Sequence, residues 1–244
     1  MGSRIALALL SFAVLCGAKD AAAQVYFQLN TGWSWAQSAG MKDSQPSSPD
    51  CLLQPASGSV CNGTLNSLGS SFIIGAGVGY KLPMGFRVDI TYDNRSGYNL
   101  SGSDPAGTAF DPKTTANTGM VNAYYDLPFT IGERVKPYIG AGIGRSKNKV
   151  NNINWSDPPN FAGQVPGGTQ TSTAWQFTIG ADIRVNEHWV LDVGYRHTDL
   201  GKLTTNAGPA TAGQPFNASN YTTPLEGRLK TNEILFNVRY ELAN

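Results

Sequence analysis

Eight stretches of the chain alternate apolar side chains with polar residues or glycine. In 25–35, Val25, Phe27, Leu29, Trp33 and Trp35 oppose Tyr26, Gln28, Asn30, Gly32 and Ser34. In 72–82, Phe72, Ile74, Ala76, Val78 and Tyr80 oppose Gly75, Gly77, Gly79 and Lys81. The pattern recurs at 86–95, 121–126, 135–144, 175–185, 189–196 and 233–242, with an indistinct start to the fourth stretch near Thr114. A period of two places successive side chains on opposite faces of a strand, so each stretch predicts a strand of about 9–11 residues with one apolar face. No helical period of 3.6 appears after Gln24.

The connections alternate in length. Short ones, "PMG", "LPFTIGER" and "NEH", separate strands two and three, four and five, and six and seven. Long ones at 37–69, 97–113, 148–172 and 199–228 are rich in Gly, Ser, Thr, Asn and Pro. A meander connected in this way carries all its long loops at one end. The expected fold is all-β: an eight-stranded antiparallel up-and-down barrel.

Alternation alone does not decide which face meets water. A secreted ligand-binding barrel of the lipocalin kind hides its apolar face, whereas a membrane barrel shows it to lipid. Composition favours lipid. Only 14% of residues are charged, against about 25% in soluble domains. The apolar faces are almost free of charge, and their aromatics gather at strand ends. Tyr80, Phe86, Tyr125, Trp189 and Tyr240 lie near the short turns; Trp33, Trp35, Phe72, Tyr92, Trp175 and Tyr195 lie near the long loops. Two aromatic girdles and strands of this length mark a spanning barrel, whose closure satisfies every backbone donor and acceptor. Four long extracellular loops and short periplasmic turns follow.

The N-terminus agrees with export. Arg4 precedes the apolar run "IALALLSFAVLC", and Ala21-Ala22-Ala23 precede Gln24. That arrangement predicts a signal peptide over 1–23, cleaved between Ala23 and Gln24, and a barrel domain over 24–244. A run of 12 is too short for a spanning helix. In an oxidising compartment, Cys51 and Cys61 are expected to form a disulfide in the first long loop, although two free thiols fit the sequence as well.

The glycines Gly75, Gly77, Gly79, Gly140, Gly142 and Gly144 invite a nucleotide-loop reading. Such a loop needs a helix after the strand, and no helical pattern follows either stretch. In a barrel these glycines all point inward, where they make room for bulky lumen groups such as Tyr124, Tyr138, Arg87 and Arg184. The same inward face carries Arg87, Asp89, Asp93, Arg95, Asp182, Arg184, Asp192, Arg196, Glu233, Arg239 and Glu241. Both signs occur in similar number. A polar core that blocks passage is expected for eight strands, since open porins use about 16–18; a narrow diffusion channel is the alternative.

Other chemistry is sparse. Net charge is +1 with no basic run, which gives no sign of nucleic-acid binding. No Cys/His cluster points to a metal, and no cofactor is expected. His188 falls in a short turn and His197 on the lipid-facing register. "HTD" at 197–199 lacks the His-x-Ser arrangement of outer-membrane lipid hydrolases, so an enzyme is the least favoured reading.

"NAYYD" (122–126), "KPYIGAGIG" (136–144), "LDVGYRHTDLG" (191–201) and the closing "EILFNVRYEL" (233–242) give the mature chain its resemblance to small outer-membrane surface-antigen barrels. That group includes the opacity proteins and the OmpA-like transmembrane domain. The resemblance implies a Gram-negative outer membrane, insertion by the barrel-assembly machinery, contact with lipopolysaccharide, and loops exposed to host or environmental ligands. The sequence departs from such barrels in ending "ELAN" rather than on an aromatic residue.

Overall fold

A computed structural model describes residues 24–37, 40–47, 69–99, 102–103, 109–111, 113–132, 134–157, 161–209, 211–212 and 221–242. Eight long strands form its frame: β1 (Gln24–Ala36), β2 (Ser70–Lys81), β3 (Phe86–Asn99), β4 (Lys113–Asp126), β5 (Val135–Val150), β6 (Gly168–Arg184), β7 (Trp189–Thr204) and β8 (Leu225–Glu241). Each pairs antiparallel with its sequence neighbours, and β1 also pairs with β8, from Tyr26↔Glu241 to Ala36↔Thr231. That closure leaves the barrel without an edge, the condition for strands to stand in lipid.

Local chemistry fixes the short turns. Pro83–Gly85 forms a single 3-10 turn, with Met84 and Gly85 at positive φ. At 186–188 the Asn186 side-chain oxygen accepts from the backbone N–H groups of His188 and Trp189, both at 2.9 Å. An Asx-type acceptor here replaces the hydrogen bonds that the ladder can no longer supply.

The strands run further toward the long-loop end than the apolar alternation predicts. β5 reaches Val150 and β6 starts at Gly168, paired in one unbroken register from Gly168↔Val150 to Ile183↔Val135. β4 starts at Lys113, and β7 and β8 extend to Thr204 and back to Leu225. The cause is a reversal of amphipathicity along the taller strands. On β8 the outward residues Ile234, Phe236 and Val238 are apolar, but Glu226, Arg228 and Lys230 above them are not. Inward, Glu233 and Arg239 give way to Leu229 and Leu225. The lower barrel is polar inside and apolar outside; the upper barrel is built like a soluble one. A single-period reading therefore stops where the faces exchange roles, although backbone pairing continues.

Leu200, Leu203, Leu225, Leu229, Val150, Ile153 and Met41 are buried in that upper part. The long connections contribute Gly102–Ser103, Ala109–Asp111, Ile153–Asp157, Phe161–Val165 and Thr211–Ala212 to a second, five-stranded sheet. Lys42–Asp43 adds to the start of β8. A bulge between Asp199 and Gly201 on β7 shifts the register against β8, with Gly201 at φ +82°.

On the outward wall, Leu29 is 67% exposed and Ile143 61%, members of a continuous band of exposed apolar side chains of the kind that marks a lipid-facing surface. Aromatic contacts rim this band. Trp33 meets Phe72 edge-on at 6.1 Å on the long-loop side, and Phe86–Tyr125 and Trp189–Tyr240 pack at 4.9 Å on the short-turn side.

Candidate functional site

The lumen is the most chemically loaded region of the molecule, and glycine–tyrosine pairing organises it. Tyr26 stands directly opposite Gly79, Tyr124 opposite Gly140, and Tyr138 opposite Gly180. A Cβ on Gly140 would collide with the edge of the Tyr124 ring, and one on Gly180 would lie 2.5 Å from the Tyr138 hydroxyl. The absent side chains let each ring lie flat across the neighbouring strand. The flattened rings then hold cations: the Arg87 guanidinium sits 5.1 Å from the Tyr124 centroid and 4.7 Å from that of Tyr138, and Arg239 lies 5.3 Å from Tyr26. The other glycines of the two stripes face shorter neighbours. Asp93 crowds Gly75, Thr91 and Gln28 crowd Gly77, Asn122 crowds Gly142, and the β4 backbone crowds Gly144.

Two ionic clusters fill the interior. In the lower one, Arg87 Nε is 2.9 Å from Asp126 and its Nη1 3.6 Å from Asp182. Asp182 also pairs with Arg239, whose Nε donates to Glu241 at 3.3 Å. Glu241 further meets Lys81 at 3.4 Å and Arg184 at 3.1 Å. Asp89 accepts from the Tyr26 hydroxyl at 2.9 Å and the Asn122 amide at 2.7 Å, and Asp192 accepts from Asn237 at 2.7 Å.

In the upper cluster Glu233 is the hub. One of its oxygens accepts from Arg95 Nε at 2.7 Å, Thr231 at 2.9 Å and Ser34 at 3.0 Å; the other accepts from Arg196 Nε at 2.6 Å and Arg95 Nη2 at 3.1 Å. Arg196 also reaches Asp93 at 2.9 Å, and Arg95 donates to Thr118 at 3.0 Å. Two guanidiniums balance two carboxylates, which is what permits all four to be buried.

Between the clusters lies a cavity of about 20 Å³, bordered by Asn30, Arg87, Tyr124, Tyr138, Arg196 and Asn237. That is room for about one water molecule. Above the upper cluster, the buried leucines of β7 and β8 cap the interior.

The structure brings Arg87, Asp182 and Arg239 together below, and Arg196 into the upper cluster. Asp89 and Asp192 border the lower group. Arg184 corrects the expectation: its side chain is 47% exposed. As the last residue of β6 it stands at the short-turn mouth and reaches inward only to Glu241. Asp126 was missed by the sequence reading as a cluster member, although it shares parity with Asn122 and Tyr124. Leu235 and Val190 also point inward, against a simple polar-face rule. His197 is half-buried on the outer wall, 5.6 Å from the Trp175 ring and 2.8 Å from Asn232, away from Asp199, which instead pairs with Arg228. Among the described residues no set of three or more His, Cys, Asp or Glu side chains is arranged to hold a metal. Cys51, Cys61 and Ala23 lie outside the described residues, and Gln24 opens β1.

The profile of the outer membrane protein beta-barrel domain matches residues 5–241. The chain belongs to that family. Its place is the outer membrane, with the short turns in the periplasm and the long loops outside. The outer membrane protein PagN of Salmonella typhimurium is 28% identical over 131 residues, which make up 51% of this chain and 53% of PagN. The chain thus spans about half the length of the curated relative it matches. Among solved structures, Neisserial surface protein A superposes with a TM-score of 0.51 over 89% of this chain and 97% of its own, at 18% identity. At that identity the likeness speaks for the barrel architecture alone.

Proposed function

We propose that this outer-membrane barrel does not conduct and serves as a rigid stand for its extracellular connections, which meet host or environmental surfaces. The observation that carries the reading is the stacked closure of the lumen: a lower ion cluster, an upper neutral quartet around Glu233, and a leucine-lined core above both. A solute would have to break charge pairs that hold one another in a low-dielectric interior, which is costly. The tall strands lift the connections clear of the lipid headgroups.

The signal peptide (1–23), the Cys51–Cys61 disulfide and insertion by the barrel-assembly machinery belong to the same proposal. N-terminal sequencing of the mature protein at Gln24 and a two-thiol difference on reduction test the first two. Planar-bilayer recording tests the main reading. Purified barrel should give no discrete conductance steps at any voltage, and regular steps would overturn the plug. Whole-cell binding to extracellular matrix, compared with cells whose 206–220 connection is shortened, tests the surface role.

A further inference from the structure

Arg87 and Arg196 use their guanidinium groups alike. Each sets Nε and Nη1 against carboxylates: Arg87 against Asp126 at 2.9 Å and Asp182 at 3.6 Å, Arg196 against Glu233 at 2.6 Å and Asp93 at 2.9 Å. In each, Nη2 has no hydrogen-bond partner among the described residues, and the same holds for the Oδ1 atoms of Asn30 and Asn237. All four residues border the cavity of about 20 Å³ between the clusters. Arg87 and Arg196 are each 3% exposed and Asn30 is 4% exposed, so bulk solvent does not serve these atoms.

The orientation of both amides is fixed by their neighbours. Asn30 Nδ2 donates to Asp93 at 3.0 Å, and Asn237 Nδ2 donates to Asp192 at 2.7 Å. Each amide therefore turns its NH2 to a carboxylate and leaves its carbonyl oxygen for the cavity. A buried donor or acceptor without a partner is costly, and here two of each meet one small space. That mixture selects the occupant. An anion would face two carbonyl oxygens and the carboxylate of Asp192, which also borders the cavity. The charges of Arg87 and Arg196 are already matched by their carboxylate partners, so they leave no excess to hold it. A cation would face two guanidiniums. A water molecule has two hydrogens to give and two lone pairs to receive, which is what the four atoms ask for.

We infer that the centre of the lumen is a binding site for one neutral water molecule and is closed to ions of either sign. The water accepts from Arg87 Nη2 and Arg196 Nη2 and donates to Asn30 Oδ1 and Asn237 Oδ1. Buried waters make about two to four hydrogen bonds, and this one uses the full set. It ties the lower cluster, through Arg87, to the upper one, through Arg196 and Asn30. The plug is then one hydrogen-bonded body instead of two stacked layers. The inference rests on the closed lumen proposed above and is independent of what the extracellular connections meet.

The test is a high-resolution crystal structure of the purified barrel, from crystals soaked in rubidium bromide. A single density peak within hydrogen-bonding distance of all four atoms, with no anomalous signal at the rubidium or bromine edge, is expected. Anomalous signal at that point would mark an ion site and overturn the inference, as would the lack of any peak in an otherwise dry lumen. A continuous file of waters from mouth to mouth would overturn the closed lumen along with it. Thr178 borders the same cavity. The extra methyl group of Thr178→Ile occupies that space, so this variant should lose the peak and show one long-lived water fewer in water relaxation dispersion of the barrel in detergent. The isosteric Thr178→Val should keep both. Heat-modifiable gel mobility verifies that each variant is folded. A peak and a long-lived water retained by folded Thr178→Ile would refute the assignment to this cavity; if that variant does not fold, the native crystal decides alone.

Discussion

Replacing Glu233 by glutamine keeps the shape of the side chain and removes one charge from the upper cluster. Glu233 is 0% exposed and accepts from Arg95, Arg196, Ser34 and Thr231. In the variant, Arg95 and Arg196 face only Asp93, and the new amide group points hydrogens at existing donors. Removing one partner of a buried ion pair costs about 3–5 kcal/mol. With a urea slope of about 1–3 kcal/mol per M, the unfolding midpoint should fall by roughly 1–5 M. The assay is urea titration of the barrel in phospholipid vesicles, followed by tryptophan fluorescence and by heat-modifiable mobility. Adding Arg95→Met to Glu233→Gln restores neutrality, so the double variant should recover at least about 1 kcal/mol relative to the sum of the two single effects. A Glu233→Gln midpoint equal to the native one, or strictly additive losses in the double variant, would refute the idea that this quartet is held by charge balance.

Other expectations follow from the packing. Gly140→Ala should cost about 1–3 kcal/mol by forcing Tyr124 off its flat position, and Tyr124→Ser in the same chain should return most of it. The reversal of amphipathicity predicts opposite tolerances on one wall: Leu29→Arg should cost about 2–4 kcal/mol in lipid, whereas Thr171→Arg should change stability little; vesicle urea titrations compare them. Leu229→Ala, in the upper core, should cost about 2–5 kcal/mol, a loss that would be absent if that core were water-filled. With the native cysteines blocked, a thiol placed at Ile143 should resist a water-soluble maleimide and one at Lys147 should react freely, which locates the lipid boundary within about 13 Å of strand.

Strand number, turn positions and outward face could be read from the chain because they depend on local alternation. Residues such as Ile74, Val193 and Phe236 have to be apolar wherever the strand meets lipid, whatever stands beside them. The upper strand segments could not be read that way. Lys147, Thr171 and Arg228 on the outside, with Leu229 within, repeat the period in reversed phase, and no local rule says where the phase changes.

A meander of eight strands with a charged, glycine-striped interior is written in the chain itself, because a period of two and the alternation of connection lengths survive any choice of partners. Which charges meet depends on the folded barrel. Register set Tyr124 over Gly140, carried Arg196 and Arg95 from different strands to a single Glu233, and left Arg184 at the mouth. Such pairings depend on a fraction of a strand's stagger around the barrel, a quantity that neighbouring residues in the chain do not encode.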